Sequence, residues 1–357
     1  GTMVPKHEIL NGVKVKRCYA TRFNKNIIVL RLINLLTVSI SIFIKAFHCI
    51  RKQDIVLVVT TPPLLPFLIS LACHLRRVKC ILRIDDIYPE TLIATGLFRQ
   101  ENIFMRIFSY MNKILYLSFE RIVVLGRDMD QLVKDKLGSA SKNIRIIPNW
   151  ADLDLVKPTH KKQNTLLNEI GLVDKFIICF AGNMGRAQGI ENLFKAINIL
   201  KDENEIHFLF IGSGAKKNWM YKEINEKALK NVTILNQFPR SEQHNFLNSC
   251  DVALVSLLPG MTGAGVPSRL YNIMSAGKPI IAVTGLGSEI ELVVREEGIG
   301  WYVNANSPDE LAKTIFQVYS SPKILTNMGN MARSVAETKY SREIVIKNYR
   351  KLIDSIM

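Results

Sequence analysis

No Cys-x-x-Cys pair and no cluster of histidines at metal-ligand spacing occurs in the chain. Its six cysteines (Cys18, Cys49, Cys73, Cys80, Cys179 and Cys250) are scattered, mostly inside apolar runs. They read as reduced core residues of a cytosolic protein and support neither a disulfide framework nor a zinc site. Aromatic residues make up only 8% and are not interleaved with basic ones. No helix-turn-helix, zinc-finger or RRM-type pattern is found either, so the sequence argues against nucleic acid as a partner. The longest uncharged apolar stretch, residues 32–44, falls short of the roughly 20 residues needed to span a bilayer. No signal-peptide pattern is read, and Gly1-Thr2 ahead of Met3 looks like a cloning remnant.

What is present is enough apolar material, 48% of 357 residues, for two α/β domains with separate cores. The formal charge of +16 is unevenly placed. Residues 1–150 carry 23 Lys/Arg against 10 Asp/Glu, a balance of +13, and residues 151–357 carry 24 against 21, or +3. A basic first half suits an anionic membrane surface or a phosphorylated acceptor. Within it, residues 27–50 form an apolar run flanked by Arg22, Lys25, Arg51 and Lys52. That run could lie in a membrane interface with Arg31 and Lys45 reaching the headgroups. Taken alone it fits somewhat better a helix buried against a sheet.

Strand and helix patterns alternate in two series. In the first, strands are expected at residues 13–19, 54–60, 80–84, 121–125 and 143–147, with helices over 27–50, 64–75 and 103–119 and another from Asp128. The runs at 54–60 and 80–84 are apolar without alternation, as in a parallel sheet covered on both faces. Residues 153–175, polar and basic, are the best linker. In the second series, strands are expected at 176–181, 206–211, 232–235, 252–255, 279–283 and 298–303. The fold class is therefore α/β, with two doubly wound Rossmann-like domains facing each other across a cleft. The divisions are residues 1–160 on the acceptor and membrane side, 161–338 on the donor side, and a last helix at 339–357 that packs back on the first domain.

In such sheets ligands sit past the carboxyl ends of strands. There the second half repeatedly places glycine beside a polar or cationic residue: Gly182 with Asn183, Arg186 and Gln188, then Gly212 with Ser213, then Ser268 with Arg269. Glycine lets backbone N–H groups approach a ligand closely, and the side chains add hydrogen bonds and charge. The densest such stretch is residues 259–283, PGMTGAGVPSRLYNIMSAGKPIIAV. It reads as a glycine-rich loop, Pro267 and Ser268 at a helix start, a short helix stopped by Gly277, and a strand. Free amides at the helix start, with Arg269 as a fixed cation, make a pocket for a diphosphate. The same stretch also fits an ordinary loop-helix-strand connection. Gly212-Ser213-Gly214 lacks the third glycine of a dinucleotide fingerprint, Lys217 standing there. In the first half, Asp85, Asp86 and Glu90 follow a strand end and are expected to face the cleft.

Four ordered segments carry a resemblance. Residues 86–90 (DIYPE), 147–152 (IPNWAD), 181–189 (AGNMGRAQG) and 265–279 (GVPSRLYNIMSAGKP) resemble successive motifs of the family-four GT-B glycosyltransferases. They are most similar to the bacterial branch that builds O-antigen, capsule and colanic-acid-like polysaccharides, which includes N-acetyl-L-fucosamine transferases. The resemblance implies a metal-independent, retaining transfer of a sugar from a nucleotide-diphosphate donor, most plausibly a UDP-sugar, with no further cofactor. The acceptor would be a lipid-diphosphate-linked saccharide and the location cytoplasmic, peripheral on the inner face of the membrane. By position, Gly182, Asn183, Arg186 and Gln188 would line the diphosphate, Ser268 and Arg269 would complete its pocket, and Asn272 would meet the ribose. Gly212, Phe238 and Pro267 complete the donor-binding set. Asp85, Asp86 and Glu90 would touch acceptor or sugar, and Arg186 and Arg269 would meet the charge of the leaving diphosphate.

Some positions depart from that pattern. Relatives often have Arg and Lys where Asn183 and Gln188 stand, Glu where Asn272 and Ala264 stand, and His where Asp85 stands. Asp128-Met129-Asp130 and Asp152-Leu153-Asp154 resemble the metal-holding DxD of the other glycosyltransferase fold, but the first falls at a helix start, where carboxylates usually cap. Relatives open with two further strand-helix units, roughly 60 residues, so the first domain is expected to be incomplete here. Two other readings remain: a nucleotide-sugar 2-epimerase of the same fold, and a donor-binding partner subunit without catalysis.

Overall fold

The computed structural model describes residues 5–24, 27–141 and 143–357. Gly1-Thr2, Met3 and Lys25, on which parts of the sequence reading fell, lie outside the described residues. The chain opens with a hairpin, β1 (His7–Leu10) and β2 (Val13–Lys16), paired antiparallel and apart from the other sheets. Only its second strand is expected from the apolar pattern. The missed signal is Asn11-Gly12, both residues at positive φ (49° and 80°), the pair a tight hairpin turn favours.

Then come α1 (Ile28–Cys49), β3 (Ile55–Val59), α2 (Leu65–Arg76), β4 (Lys79–Arg83), α3 (Glu90–Ala94), α4 (Ile103–Leu117), β5 (Arg121–Val124), α5 (Arg127–Leu137) and β6 (Ile144–Ile146). The strands form a parallel sheet in the order β3-β4-β5-β6. Side chains alternate across it. Leu82 and Val124 join the main core, while Ile81 and Val123 meet Val345, Leu352 and Ile356 on the other face. Both faces are covered, which is why β4 and β5 read as unbroken apolar runs.

The second sheet is built from β7 (Phe176–Asn183), β8 (Ile206–Ser213), β9 (Val232–Leu235), β10 (Val252–Ser256), β11 (Ile280–Thr284) and β12 (Gly300–Asn304). Its order is β12-β11-β10-β7-β8-β9, with all neighbours parallel. Between these strands run α7 (Ile190–Ile199), α8 (Lys217–Glu226), α9 (Gln243–Leu247), α10 (Arg269–Ser275) and α11 (Glu289–Glu296), after α6 (Thr165–Glu169). The chain ends with α12 (Pro308–Tyr319), α13 (Pro322–Lys339) and α14 (Arg342–Asp354), the last lying on the first sheet. This is the GT-B arrangement of two doubly wound units.

Two expectations are corrected. The stretch at residues 153–175, where the composition predicts a linker, is packed: Val156, Leu166 and Leu167 are buried in the main core, and Lys161 pairs with Asp251 at 2.6 Å. Its polar residues anchor it, as when buried Asn164 donates to the Asn245 carbonyl at 2.8 Å. Helix α1, favoured as a buried helix, packs beside α2 but leaves most of its surface open; among its described side chains only Ser39 is buried. Counting only the uncharged residues also understated it, since Val29–Cys49 is long and apolar enough to cross a membrane by length and composition.

The two units grip one another around the glycine-rich loop after β10. Asp128, on the first turn of α5, accepts from the Gly263 and Glu289 amides at 2.9 and 3.1 Å. Arg127 reaches Glu289 and Glu296 at 3.0 and 2.7 Å. The Ile87 amide donates to the Ala264 carbonyl at 2.8 Å, and Asp86 bridges to Gly265. Of the Asp128-Met129-Asp130 triplet, Asp128 thus joins the units, while Asp130 pairs with Lys134 on its own helix. Burial pushes the Asp128 carboxyl above its ordinary range, against the pull of the amides it accepts from. Asp128→Ala leaves the Gly263, Glu289 and Met129 amides without their acceptor and is expected to lower the free energy of unfolding by about 1 to 3 kcal/mol in urea titration. Asp128→Asn, which keeps an acceptor oxygen, is expected to stay within about 1 kcal/mol of the parent; equal losses would deny Asp128 this role.

Candidate functional site

Between the carboxyl ends of the two sheets lies a cleft of about 520 Å³. Its floor is made by the close approach of β7 and β8. Gly212 (φ +148°) lies against the Gly182 carbonyl, where an added Cβ would come within 2.0 Å of the oxygen. Gly182 (φ +149°) is in turn covered by Arg269, and a Cβ there would sit 2.6 Å from Nη1. The guanidinium also lies 4.4 Å from the centre of the Phe180 ring and donates through Nη2 to the Ser256 carbonyl at 3.2 Å. Two missing side chains and one aromatic face therefore hold Arg269 in place.

No carboxylate answers this cation: Arg269 makes none of the described ion pairs, and its buried Nε has no hydrogen-bond partner. Enclosure by protein lowers its pKa to about 10, so the group stays charged at neutral pH while its surroundings disfavour the charge. Two more arginines line the cleft, Arg83 from the end of β4 and Arg240 after β9. Arg83 is held by Asp85 at 2.9 Å and donates to Asn149 at 2.6 Å, and Arg240 pairs with Asp152 at 2.9 Å. None of the residues lining the cleft is acidic. Such a wall suits a ligand with more than one negative charge. Phe238, Phe246, Leu247 and Ile211 supply an apolar end beside it, and Phe238 and Phe246 stack with centroids 6.2 Å apart.

Of the residues singled out in the sequence, Gly182, Asn183, Gly212, Phe238, Ser268, Arg269 and Asn272 line the cleft. Asn272 also binds the other unit, its Oδ1 accepting from the Asp152 amide at 3.1 Å. Six do not line it. Pro267 precedes α10 and stays behind Ser268. Gln188 is spent within its own loop, accepting from the Gly185 amide at 3.0 Å. Arg186 is exposed on a 3-10 turn (Arg186–Gln188) away from the wall. Asp85 stands one ion pair back, behind Arg83. Asp86 lies at the joint with Gly265, its carboxyl pushed up by burial and by Asp85. Glu90 turns away into a 2.5 Å pair with Lys136 on α5. Helix α10 has only seven residues and Ser268 makes no side-chain cap, so the cation, more than a helix dipole, sets the local field.

Arg83, Asn149, Trp150, Gln237, Arg240, Gln243 and Phe246 line the cleft without having been assigned to it. Arg83 ends β4, and Gln237 and Arg240 follow β9, so the strand-end rule that found the glycine loops reaches them as well. Among the described residues no group of three or more His, Cys, Asp or Glu is placed to hold a metal ion.

A family model described as "Glycosyl transferases group 1" matches residues 163–335. A Pseudomonas aeruginosa protein described as "Probable glycosyltransferase WbjE" is 33% identical over 336 residues, 94% of this chain and 83% of its own length. An Escherichia coli K12 protein described as "Putative colanic acid biosynthesis glycosyl transferase WcaI" is 28% identical over 64% of this chain and 56% of its own length. Among solved structures, Anabaena Alr3699/HepE in complex with UDP-glucose superposes with a TM-score of 0.72 at 13% identity, over 93% of this chain and 84% of that one. That likeness is one of fold.

A half-buried cation without a counter-ion is less well solvated than in water and costs some stability in the empty protein. Arg269→Met keeps bulk over Phe180 and removes the charge. It is expected to raise the free energy of unfolding of the unliganded protein by about 1 kcal/mol in urea titration. A loss of stability would mean that Arg269 is already satisfied.

Proposed function

The chain belongs to the glycosyl transferases of group 1, and we propose that it moves a hexosyl or N-acetylhexosaminyl unit, with retention and without a metal, from a UDP-sugar to a lipid-diphosphate-linked saccharide. The product would enter a surface polysaccharide of the O-antigen, capsule or colanic-acid-like kind, in the branch that includes N-acetyl-L-fucosamine transferases, on the inner face of the cell membrane. The observation that carries this reading is the uncompensated Arg269 at the floor of a cleft walled by three arginines and no acid. Support for the donor comes from the Anabaena protein described in complex with UDP-glucose, and for the pathway class from the Escherichia coli relative described by colanic acid biosynthesis.

In this reaction the bond between the anomeric carbon and a diphosphate oxygen breaks, and the acceptor hydroxyl oxygen bonds to that carbon on the same face. The acceptor proton leaves to an oxygen of the departing diphosphate. Negative charge grows on the diphosphate as the bond breaks, so a cation already held in position stabilises the transition state without reorganising. Arg269 takes that role, held in position by the bare backbone at Gly182 and Gly212. Phe238 and its neighbours would seat the base, and the Asp85-Asp86 loop faces the acceptor side. The basic first half suits an anionic membrane and a diphosphate-bearing acceptor.

The test is a panel of UDP- and GDP-sugars titrated by calorimetry, followed by transfer assays with membrane extract. Binding of at least one UDP-sugar and acceptor-dependent release of UDP are expected; no binding across the panel would sink the proposal. Arg269→Ala should weaken UDP binding by about 10- to 150-fold, the equivalent of a charge-assisted hydrogen bond of about 1.5 to 3 kcal/mol.

A further inference from the structure

Helix α4 carries an apolar face turned to solvent. Phe104, Ile107, Tyr110, Met111, Ile114 and Leu117 are all exposed, Phe104 by 70% and Tyr110 by 66%. Their spacing keeps them on one side of a helix, while Met105, Asn112, Leu115 and Tyr116 occupy the buried side. A face of that size is uncommon on a protein that meets only water. Its charged residues are Arg106 and Lys113, both exposed, and α4 has no Asp or Glu. Helix α1 repeats the pattern, with Val29, Leu32, Leu36, Ile40 and Ile44 exposed, Arg31 and Lys45 as its only Lys or Arg residues, and again no acid.

The two helices belong to one layer. Arg76 of α2 donates to the Phe47 carbonyl of α1 at 3.0 Å and lies over its ring, and Ser70 of α2 meets Ser118 at the end of α4 at 2.8 Å. Arg31 is near enough to Tyr88 to oppose the rise of its phenol pKa, and Tyr88 stacks on Phe108 of α4. Ahead of α4, Leu97 and Phe98 are exposed beside Arg99.

The inner side of α4 faces the loop that follows β4. Asn112 donates to the Tyr88 carbonyl at 2.7 Å, and Lys136, which pairs with Glu90, also reaches Ser109 at 3.1 Å. One helix therefore holds the Asp85-to-Glu90 loop with one side and shows an apolar, cationic face with the other.

We infer that the outer faces of α4 and α1, with Leu97 and Phe98, seat the protein on an anionic lipid bilayer. Apolar side chains enter the acyl boundary, and Arg106, Lys113, Arg31 and Lys45 meet the headgroups. The charge complementarity selects a bilayer over a second copy of this chain, whose matching face would bring cation against cation. The role of this seat in presenting the acceptor rests on the proposed function; binding to the bilayer does not.

The experiment is co-sedimentation of the full chain with vesicles of phosphatidylcholine alone or mixed with phosphatidylglycerol, with UDP titrated into each protein in parallel. Partition into the anionic vesicles is expected to exceed that into neutral ones by at least about tenfold at low salt and to fall as salt rises. The Phe104→Gln/Ile107→Gln/Ile114→Gln variant should lose at least about tenfold in partition with UDP affinity unchanged. Should that variant fail to fold, Arg106→Gln/Lys113→Gln must reduce the preference for anionic vesicles. Unchanged partition in both variants, absence of vesicle binding by the parent, or a parent dimer that the triple variant dissociates would overturn the inference. Loss of UDP binding in the parent with vesicle binding intact would instead contradict the proposed function alone.

Discussion

An unneutralised guanidinium governs the architecture of the cleft. Arg269 is clamped between the ring of Phe180 and the bare Cα of Gly182, with a single carbonyl, that of Ser256, as its described hydrogen-bond acceptor. Each neighbour yields something to it. Gly182 can carry no side chain, Gly212 must lie against the Gly182 carbonyl, and an aromatic residue must end up under a cation. Folding gains nothing from a half-buried charge left without a counter-ion, and a ligand of opposite charge in the cleft accounts for the arrangement.

The first unit completes the cleft from the far side. It contributes Arg83, Asn149 and Trp150, and Arg83 is pre-oriented by Asp85 and Asn149. It also grips the loop that leads into α10, through Asp128, Arg127 and the Ile87 amide. The contacts that join the two units are therefore the contacts that position the ligand cation. The shared core, running from Val58 and Leu82 through Val255 to Ala332, makes the two sheets parts of one body.

Much of this was legible before the structure. The strands at 232–235 and 252–255 fall where the apolar runs place them, and the strand ends at Gly182 and Gly212 meet Ser268 and Arg269 at the cleft. Buried parallel strands write themselves as unbroken apolar runs, so they are easy to read. The side chains of the acceptor loop were harder. Nothing local in Asp86 or Glu90 tells that one meets Gly265 and the other Lys136, because those partners lie far along the chain. Arg186 and Gln188 sit in the right loop but point elsewhere, since a strand-end rule locates loops and not rotamers. The exposure of α1 escapes the sequence for a related reason: an apolar helix without acid reads alike whether or not protein covers it.

The account stands or falls on where a diphosphate binds. A crystal structure of the protein with UDP would test it most directly. Diphosphate oxygens within about 3 Å of the Arg269 guanidinium, close to the backbone at Gly182, are the expected result. UDP held elsewhere in the cleft, with Arg269 still bonded only to the Ser256 carbonyl, would contradict it.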